Sequence, residues 1–306
     1  SLFAGNLSDT YDRKLLTILP CLVWSATTLT TAASSSFSEV LASRILMGLA
    51  CAFATPAAYT LIRDLFPEEK RSGASSLYAS GVYFGGALAS LSVLLDGVVG
   101  WRGAEGVIAG FGLVSAAAAG LLLPEDPKME KGGMERTVTT VKIPAKEEEE
   151  SSSLVSTAAS ILSIPSIRLL YLASFFRFSS GLLIGVWAAP YFLQTFPEST
   201  AAYGVTNALI VGLCGVTSGV GGGLLADKLA SNTAGGEGRL LVPIAGSLLA
   251  VPAWWQCVHA STFEGAMVWL AVEYLVAECW FGPVVSVIQG GVGDKRGGTA
   301  QGMFTV

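Results

Sequence analysis

The chain is 306 residues long, with 52% apolar residues, 13% charged residues and a formal net charge of −5. A soluble domain carries about 25% charged residues. This composition, with a mean hydropathy of +0.59, therefore excludes an ordinary soluble globule and implies a polytopic protein embedded in a lipid bilayer. The acidic balance gathers in loops, including Glu147-Glu148-Glu149-Glu150, and no basic surface is present that would take nucleic acid.

A charged segment comes first: Gly5-Asn6-Leu7-Ser8-Asp9-Thr10-Tyr11-Asp12-Arg13-Lys14. A membrane-spanning helix needs about 20 mostly apolar residues. The spans expected on that ground are 15–34, 40–62, 74–95, 104–123, 167–193, 202–225, 240–258 and 265–289. Barrel strands would be about 10 residues long with alternating polarity, and these runs do not alternate, so the expected fold is all-α. Residues before 15 would close one further helix and those after Thr299 would open another. No signal-peptide pattern opens the chain at Ser1. The expectation is a fragment, incomplete at both ends.

Lysine and arginine placement sets orientation. Alternating the loops collects Arg13, Lys14, Arg63, Lys70, Arg71, Arg168, Lys228, Arg239, Lys295 and Arg296 on one side, with the linker bases Lys128, Lys131, Arg136, Lys142 and Lys146. That is 15 of the 18 bases, so this side is expected to be cytoplasmic. Arg102 lies in an opposite loop, while Arg44 and Arg177 lie within spans. Between the spans, Pro124-Glu125-Asp126-Pro127 stops a helix and opens a polar stretch that cannot bury a core. The expected organisation is an N-terminal bundle 1–123, a cytoplasmic linker 124–166 with a short interfacial helix over Leu154–Ile164, and a C-terminal bundle 167–306. The composition does not say which membrane, plasma membrane or endomembrane.

The five cysteines (Cys21, Cys51, Cys214, Cys257 and Cys279) all fall in apolar runs without Cys-x-x-Cys spacing, which argues against disulfide or metal roles. There is no Gly-Lys-Ser/Thr phosphate loop and no His-Glu-x-x-His, and His259 is the one histidine. Enzyme chemistry, a cofactor, a bound metal and ATP-driven transport are therefore not expected. Gly215, Gly219 and Gly223 recur every fourth residue. This reads as a smooth helix face for close packing, since no strand precedes them and the third glycine of a dinucleotide fingerprint is missing.

The opening segment has an echo downstream in Gly223-Leu224-Leu225-Ala226-Asp227-Lys228, and both copies contain Gly-x-Leu-x-Asp. Lys70-Arg71-Ser72-Gly73 follows the first copy much as Lys295-Arg296-Gly297-Gly298 follows the second. The interval is seven residues longer in the second half, an excess accounted for, to within one residue, by the Thr-Ala-Gly-Gly-Glu-Gly stretch before Arg239. These paired strings resemble the cytoplasmic loop signature of the major facilitator superfamily of secondary transporters. The first copy departs from it at Thr10 and Asp12, and the second delays its next arginine to Arg239. The resemblance extends to Arg44 with Gly48, to Asp64-Leu65-Phe66-Pro67-Glu68-Glu69-Lys70-Arg71, to Gly100-Trp101-Arg102, and to Trp280-Phe281-Gly282-Pro283 followed by Gln289, Arg296 and Ala300. Within the superfamily these details look most like the spinster-like branch, associated with lipid and lysolipid export.

The resemblance implies the major facilitator fold, two helical bundles in parallel pseudo-repeat, acting as a monomer. It implies alternating access for a small organic solute or a lipid-like substrate, with a transport-inactive receptor or scaffold of the same fold as the alternative. The gating motif would comprise Gly5, Asp9, Arg13, Asp64, Arg71, Gly223, Asp227 and Arg296. Physically, glycine allows close approach, Asp9 can accept from amides at a facing helix N-terminus, and Arg13 can pair with Asp64. Charge inside a span is costly, about 2.5–3.5 kcal/mol per residue on insertion scales. Arg44, Arg177, Glu273 and Glu278 are therefore the expected substrate or ion pathway. Arg177 needs an anionic partner, either Glu278 or a substrate headgroup.

Overall fold

The computed structural model describes residues 2–126, 154–231, 238–293 and 296–305, and of residues 89–94, 96, 97, 200 and 201 it describes the backbone. Most of the linker (127–153), with its five bases and its acidic run, lies outside the described residues, as does Lys295. The helices are α1 (Leu2–Thr10), α2 (Arg13–Ala33), α3 (Phe37–Leu65), α4 (Arg71–Ala79), α5 (Gly81–Leu122), α6 (Leu154–Leu162), α7 (Pro165–Thr195), α8 (Thr200–Leu209), α9 (Val216–Ser231), α10 (Leu241–Val258), α11 (Phe263–Ala277), α12 (Phe281–Gly291) and α13 (Gly297–Phe304). A π-helical segment, Ile210–Gly215, joins α8 to α9. No strand occurs among the described residues. Among the described residues, seven helical stretches are long and apolar enough to cross a membrane. They correspond to all the expected spans but one. The expected span 74–95 is divided by a turn at Ser80 between α4 and α5.

Local chemistry explains the breaks. Asp12 starts α2 by accepting from the amides of Lys14 (2.8 Å) and Leu15 (3.3 Å), which satisfies donors that have no intrahelical partner. The buried Ser25, Thr28 and Thr31 hydroxyls donate back to carbonyls four residues earlier, so these polar side chains enter an apolar span fully satisfied. Gly100 divides α5 at φ 70°, ψ 164°, a conformation closed to L side chains; the turn expected at Gly100-Trp101-Arg102 sits there. The expected continuous span 265–289 is also interrupted. Helix α11 ends at Ala277, α12 begins at Phe281, and Glu278-Cys279-Trp280 lies between. Pro283 has no N–H for the Cys279 carbonyl, and its ring crowds that carbonyl, so the helix breaks one turn before it.

The chain forms two compact units. One contains Ser1–Leu65, Glu105–Arg168 and Val292–Val306, and the other Phe66–Ala104 and Leu169–Gly291. Each draws on sequence from both sides of the 124–166 linker. In the first unit, α13 packs on α1 and α3, and α2 packs on α3. In the second, α4 packs on α9 and α12, beside a core of Phe192, Tyr203, Ile210, Cys257, Met267 and Leu270. Stacking of Phe192 on Tyr203, with ring centroids 5.1 Å apart, ties α7 to α8 within that core. Many large apolar side chains outside it stay exposed, Leu121, Leu182 and Leu248 among them. Such a surface suits lipid rather than water.

Candidate functional site

In the first unit, Asp9 near the end of α1 faces the start of α13. Its Oδ1 accepts from the Gly298 amide at 2.7 Å, and its Oδ2 accepts from the Thr299 amide at 2.9 Å and the Thr299 hydroxyl at 3.0 Å. A carboxylate at a helix N-terminus satisfies orphan N–H donors and meets the positive end of the helix dipole. The approach depends on glycine. A Cβ on Gly5 would overlap the Gly298 carbonyl, and one on Gly298 would overlap the Gly5 carbonyl and the Ser8 hydroxyl. The motif glycine and its facing glycine therefore let the two backbones meet.

Arg13, four residues on, is fully buried and does not reach Asp9. Its Nη1 donates to Asp64 at 2.6 Å and to the Thr60 carbonyl at 3.0 Å. Its Nε and backbone amide donate to Asp126 Oδ2 at 2.8 and 2.9 Å, and its Nη2 donates to the other Asp126 oxygen. The side chains of Arg13 and Asp126 are both 0% exposed. Asp126, expected only as part of a helix stop, is thus the principal partner of the signature arginine. Arg63 completes the node, holding Asp64 at 3.0 Å and the Gly293 carbonyl at 3.3 Å.

The second unit repeats the docking. Asp227 on α9 accepts from the Ser72 amide at 3.1 Å and the Gly73 amide at 2.7 Å, at the start of α4. A Cβ on Gly223 would come within 2.7 Å of the Ser72 carbonyl and would overlap Ser76. Here the cation touches the docking carboxylate itself. Arg239 Nε lies 3.4 Å from Asp227 Oδ1, and its Nη1 pairs with Glu68 at 3.1 Å. The other two glycines of the periodic face also meet this neighbour's continuation or the helix break. Gly215 faces the Tyr83 ring, and Gly219 lies against both Tyr83 and the Glu278 carbonyl.

Deeper in the second unit, the interrupted helix carries a charged cluster. Arg177 on α7 donates through Nη2 to the Ala277 carbonyl at 3.0 Å and to Glu278 Oε1 at 3.3 Å. Tyr83 donates to Glu278 Oε2 at 2.5 Å. The guanidinium thus covers the exposed, negative C-terminal end of α11. Arg177 Nε is buried with no partner among the described residues. Trp280 lies 5.5 Å from the guanidinium, and Phe178, Trp280 and Phe281 pack edge to face beside it.

A family model for the Major Facilitator Superfamily matches residues 1–306. The chain belongs to the Major Facilitator Superfamily. It is an integral, multi-pass membrane protein. It is 33% identical over 129 residues to a D-xylose transporter of Levilactobacillus brevis, which is 40% of this chain and 27% of that protein. It is 30% identical over 142 residues to protein spinster homolog 3 of Danio rerio, 44% of this chain and 28% of that one. The matched segments thus span under a third of either relative's length. Among solved structures, a bacterial homolog of the human lysosomal transporter Spinster, inward-facing and unoccupied, superposes with a TM-score of 0.60 at 19% identity, over 98% of this chain and 66% of that one. The human organic anion transporter MFSD10 (TETRAN) superposes with a TM-score of 0.68 at 20% identity, over 99% and 70%. At these identities the structures speak for the fold alone.

In this superfamily member the sequence-derived site residues fall into separate groups. Gly5 and Asp9 lie at the first docking, Arg13 and Asp64 in the buried node with Asp126, and Gly223 and Asp227 at the second docking. Arg71 donates to the Phe66 carbonyl at 3.2 Å, and Arg296 to Ser160 on α6 at 3.1 Å. Arg296 immediately precedes α13 and Arg71 opens α4, so each marks a docked helix start rather than touching the docking carboxylate. Arg177 and Glu278 are together, as described. Arg44 pairs instead with Glu105 at 2.7 Å in the first unit and is half exposed. Glu273 is 4% exposed and makes no hydrogen bond among the described residues. Asp126, Tyr83, Glu68 and Arg239 are additional members that the sequence reading did not single out for these roles.

Proposed function

We propose that the protein is a secondary active transporter that moves a small organic solute or lipid-like substrate by alternating access, with bundles 1–123 and 167–306 rocking about a central site. The observation that carries this reading is the reciprocal docking. Asp9, from before the linker, caps a helix start from after it, and Asp227, from after the linker, caps a helix start from before it. Contacts of this kind hold the halves in one arrangement, and their release permits another. Each rests on charge-assisted hydrogen bonds of about 1.5–3 kcal/mol, strong enough to bias an equilibrium and weak enough to break in a cycle.

Arg177, Glu278 and Tyr83 at the helix break are the proposed substrate region. Interrupted helices in transporters offer dipole ends and free backbone groups at mid-membrane, and the unpartnered Arg177 Nε leaves a donor for an anionic substrate group. The aromatic trio beside it would take an apolar body. Neither the proposed chemistry nor the named relatives call for an enzyme activity.

The test is transport by the full-length protein in proteoliposomes, screened with lysolipids, organic anions and sugars. Transport of one class is expected, with Asp9→Asn and Asp64→Asn lowering the rate per folded molecule and Arg177→Gln weakening substrate binding. Unchanged rates in both aspartate variants would make the docking ordinary structure. If Arg177 and Glu278 form a purely structural pair, each single variant misfolds and the charge-swapped double variant recovers.

A further inference from the structure

A cavity of about 770 Å³ opens beside α4 and α9 in the second unit. Phe66, Leu77, Tyr78 and Leu224 make it apolar, and Leu77 and Leu224 are 63% and 61% exposed. Lys70 and Lys228 stand among the lining residues, with Glu69 and Asp227. Asp227 is already committed to two amides and to Arg239. Neither lysine side chain has an ion-pair partner among the described residues. The local balance is therefore two uncompensated ammonium groups against the Glu69 carboxylate.

An open apolar groove on a membrane protein is filled by acyl chains, and lysines near the membrane surface attract anionic headgroups. The geometry points to an anionic phospholipid as the occupant, with its acyl chains against Leu77, Tyr78 and Leu224 and its phosphate held by Lys70 and Lys228. The volume lies in the range of sites for small organic ligands. Because α4 and α9 each supply lining residues, and Gly73 and Asp227 of the docking belong to that lining, the bound lipid bridges the docked pair and favours it. This last consequence rests on the gating reading, whereas the binding does not.

The experiment is native mass spectrometry of the full-length protein released from nanodiscs of phosphatidylcholine with added phosphatidylglycerol. The wild type is expected to retain phosphatidylglycerol selectively. K70Q and K228Q should each weaken that retention roughly fivefold and the double variant roughly 30-fold, with phosphatidylcholine retention unchanged. E69Q should tighten it, which tests the proposal in a variant that keeps both lysines. Wild-type selectivity in the double variant, looser retention in E69Q, or displacement of the lipid by soluble glycerol phosphate at equal concentration would each overturn the proposal.

Discussion

At the first copy of the signature, the docking carboxylate and the signature arginine serve different partners; at the second copy they serve each other. Asp9 holds α13 through amides and a hydroxyl, while Arg13 is consumed in a buried node with Asp64 and Asp126. Asp227 holds α4 and is itself held by Arg239. The sequence accounts for the difference. Counting along the repeat, Ser231 occupies the position of Arg13 and Gln289 that of Asp64. The second half thus lacks the counterparts of Arg13 and Asp64, and a guanidinium arrives from the start of the next span instead. The second docking would therefore release an aspartate that keeps the Arg239 cation nearby, whereas at the first the Arg13 cation stays with Asp64 and Asp126. One common device, a carboxylate on a helix start, is set in two electrostatic surroundings.

The largest expected effect lies in the node. Arg13→Gln removes the guanidinium from which Asp64 and Asp126 accept, which costs about 3–5 kcal/mol by the usual cost of breaking a buried pair. Thermal unfolding of the full-length protein measures it. A loss below about 1 kcal/mol would mean that the node contributes little to the fold. Next comes Asp227→Asn. One acceptor and the charge are lost, and Arg239, itself 7% exposed, keeps among the described residues the more exposed Glu68 carboxylate and its carbonyl. A loss of about 2–3 kcal/mol is expected. Asp9→Asn removes an acceptor and a charge and leaves Arg13 with Asp64 and Asp126, and about 1–2 kcal/mol is expected. Equal losses for the two aspartates would erase the distinction between the dockings. The smallest effect belongs to Lys14→Gln. Its partner Glu125, 3.5 Å away, is 58% exposed, and such a pair is worth about 0–1 kcal/mol.

All-α class, membrane character and the place of seven of the eight expected spans were legible because they are written in composition and run length. Asp9 and the Arg13–Asp64 pairing were legible because the signature names those positions. Asp126, Tyr83 and Glu68 were not, because they meet Arg13, Glu278 and Arg239 across 113, 195 and 171 residues, and hydropathy carries no information at that range. The break at Glu278-Cys279-Trp280 was a different kind of miss. Pro283 stood in the sequence at the spacing that interrupts a helix, but the surrounding apolar run concealed it. Arg44 was grouped with the cavity charges by span alone, and its neighbour Glu105 belongs to another helix of its own unit.

The central claim is that each signature aspartate holds the helix start it faces independently of the other. The direct measurement is amide hydrogen exchange in the full-length protein and in its Asp9→Ala and Asp227→Ala variants. Asp9→Ala should accelerate exchange at Gly298 and Thr299 and leave Ser72 and Gly73 protected, and Asp227→Ala should do the reverse. Exchange at both pairs of amides that is indifferent to these substitutions would contradict the account.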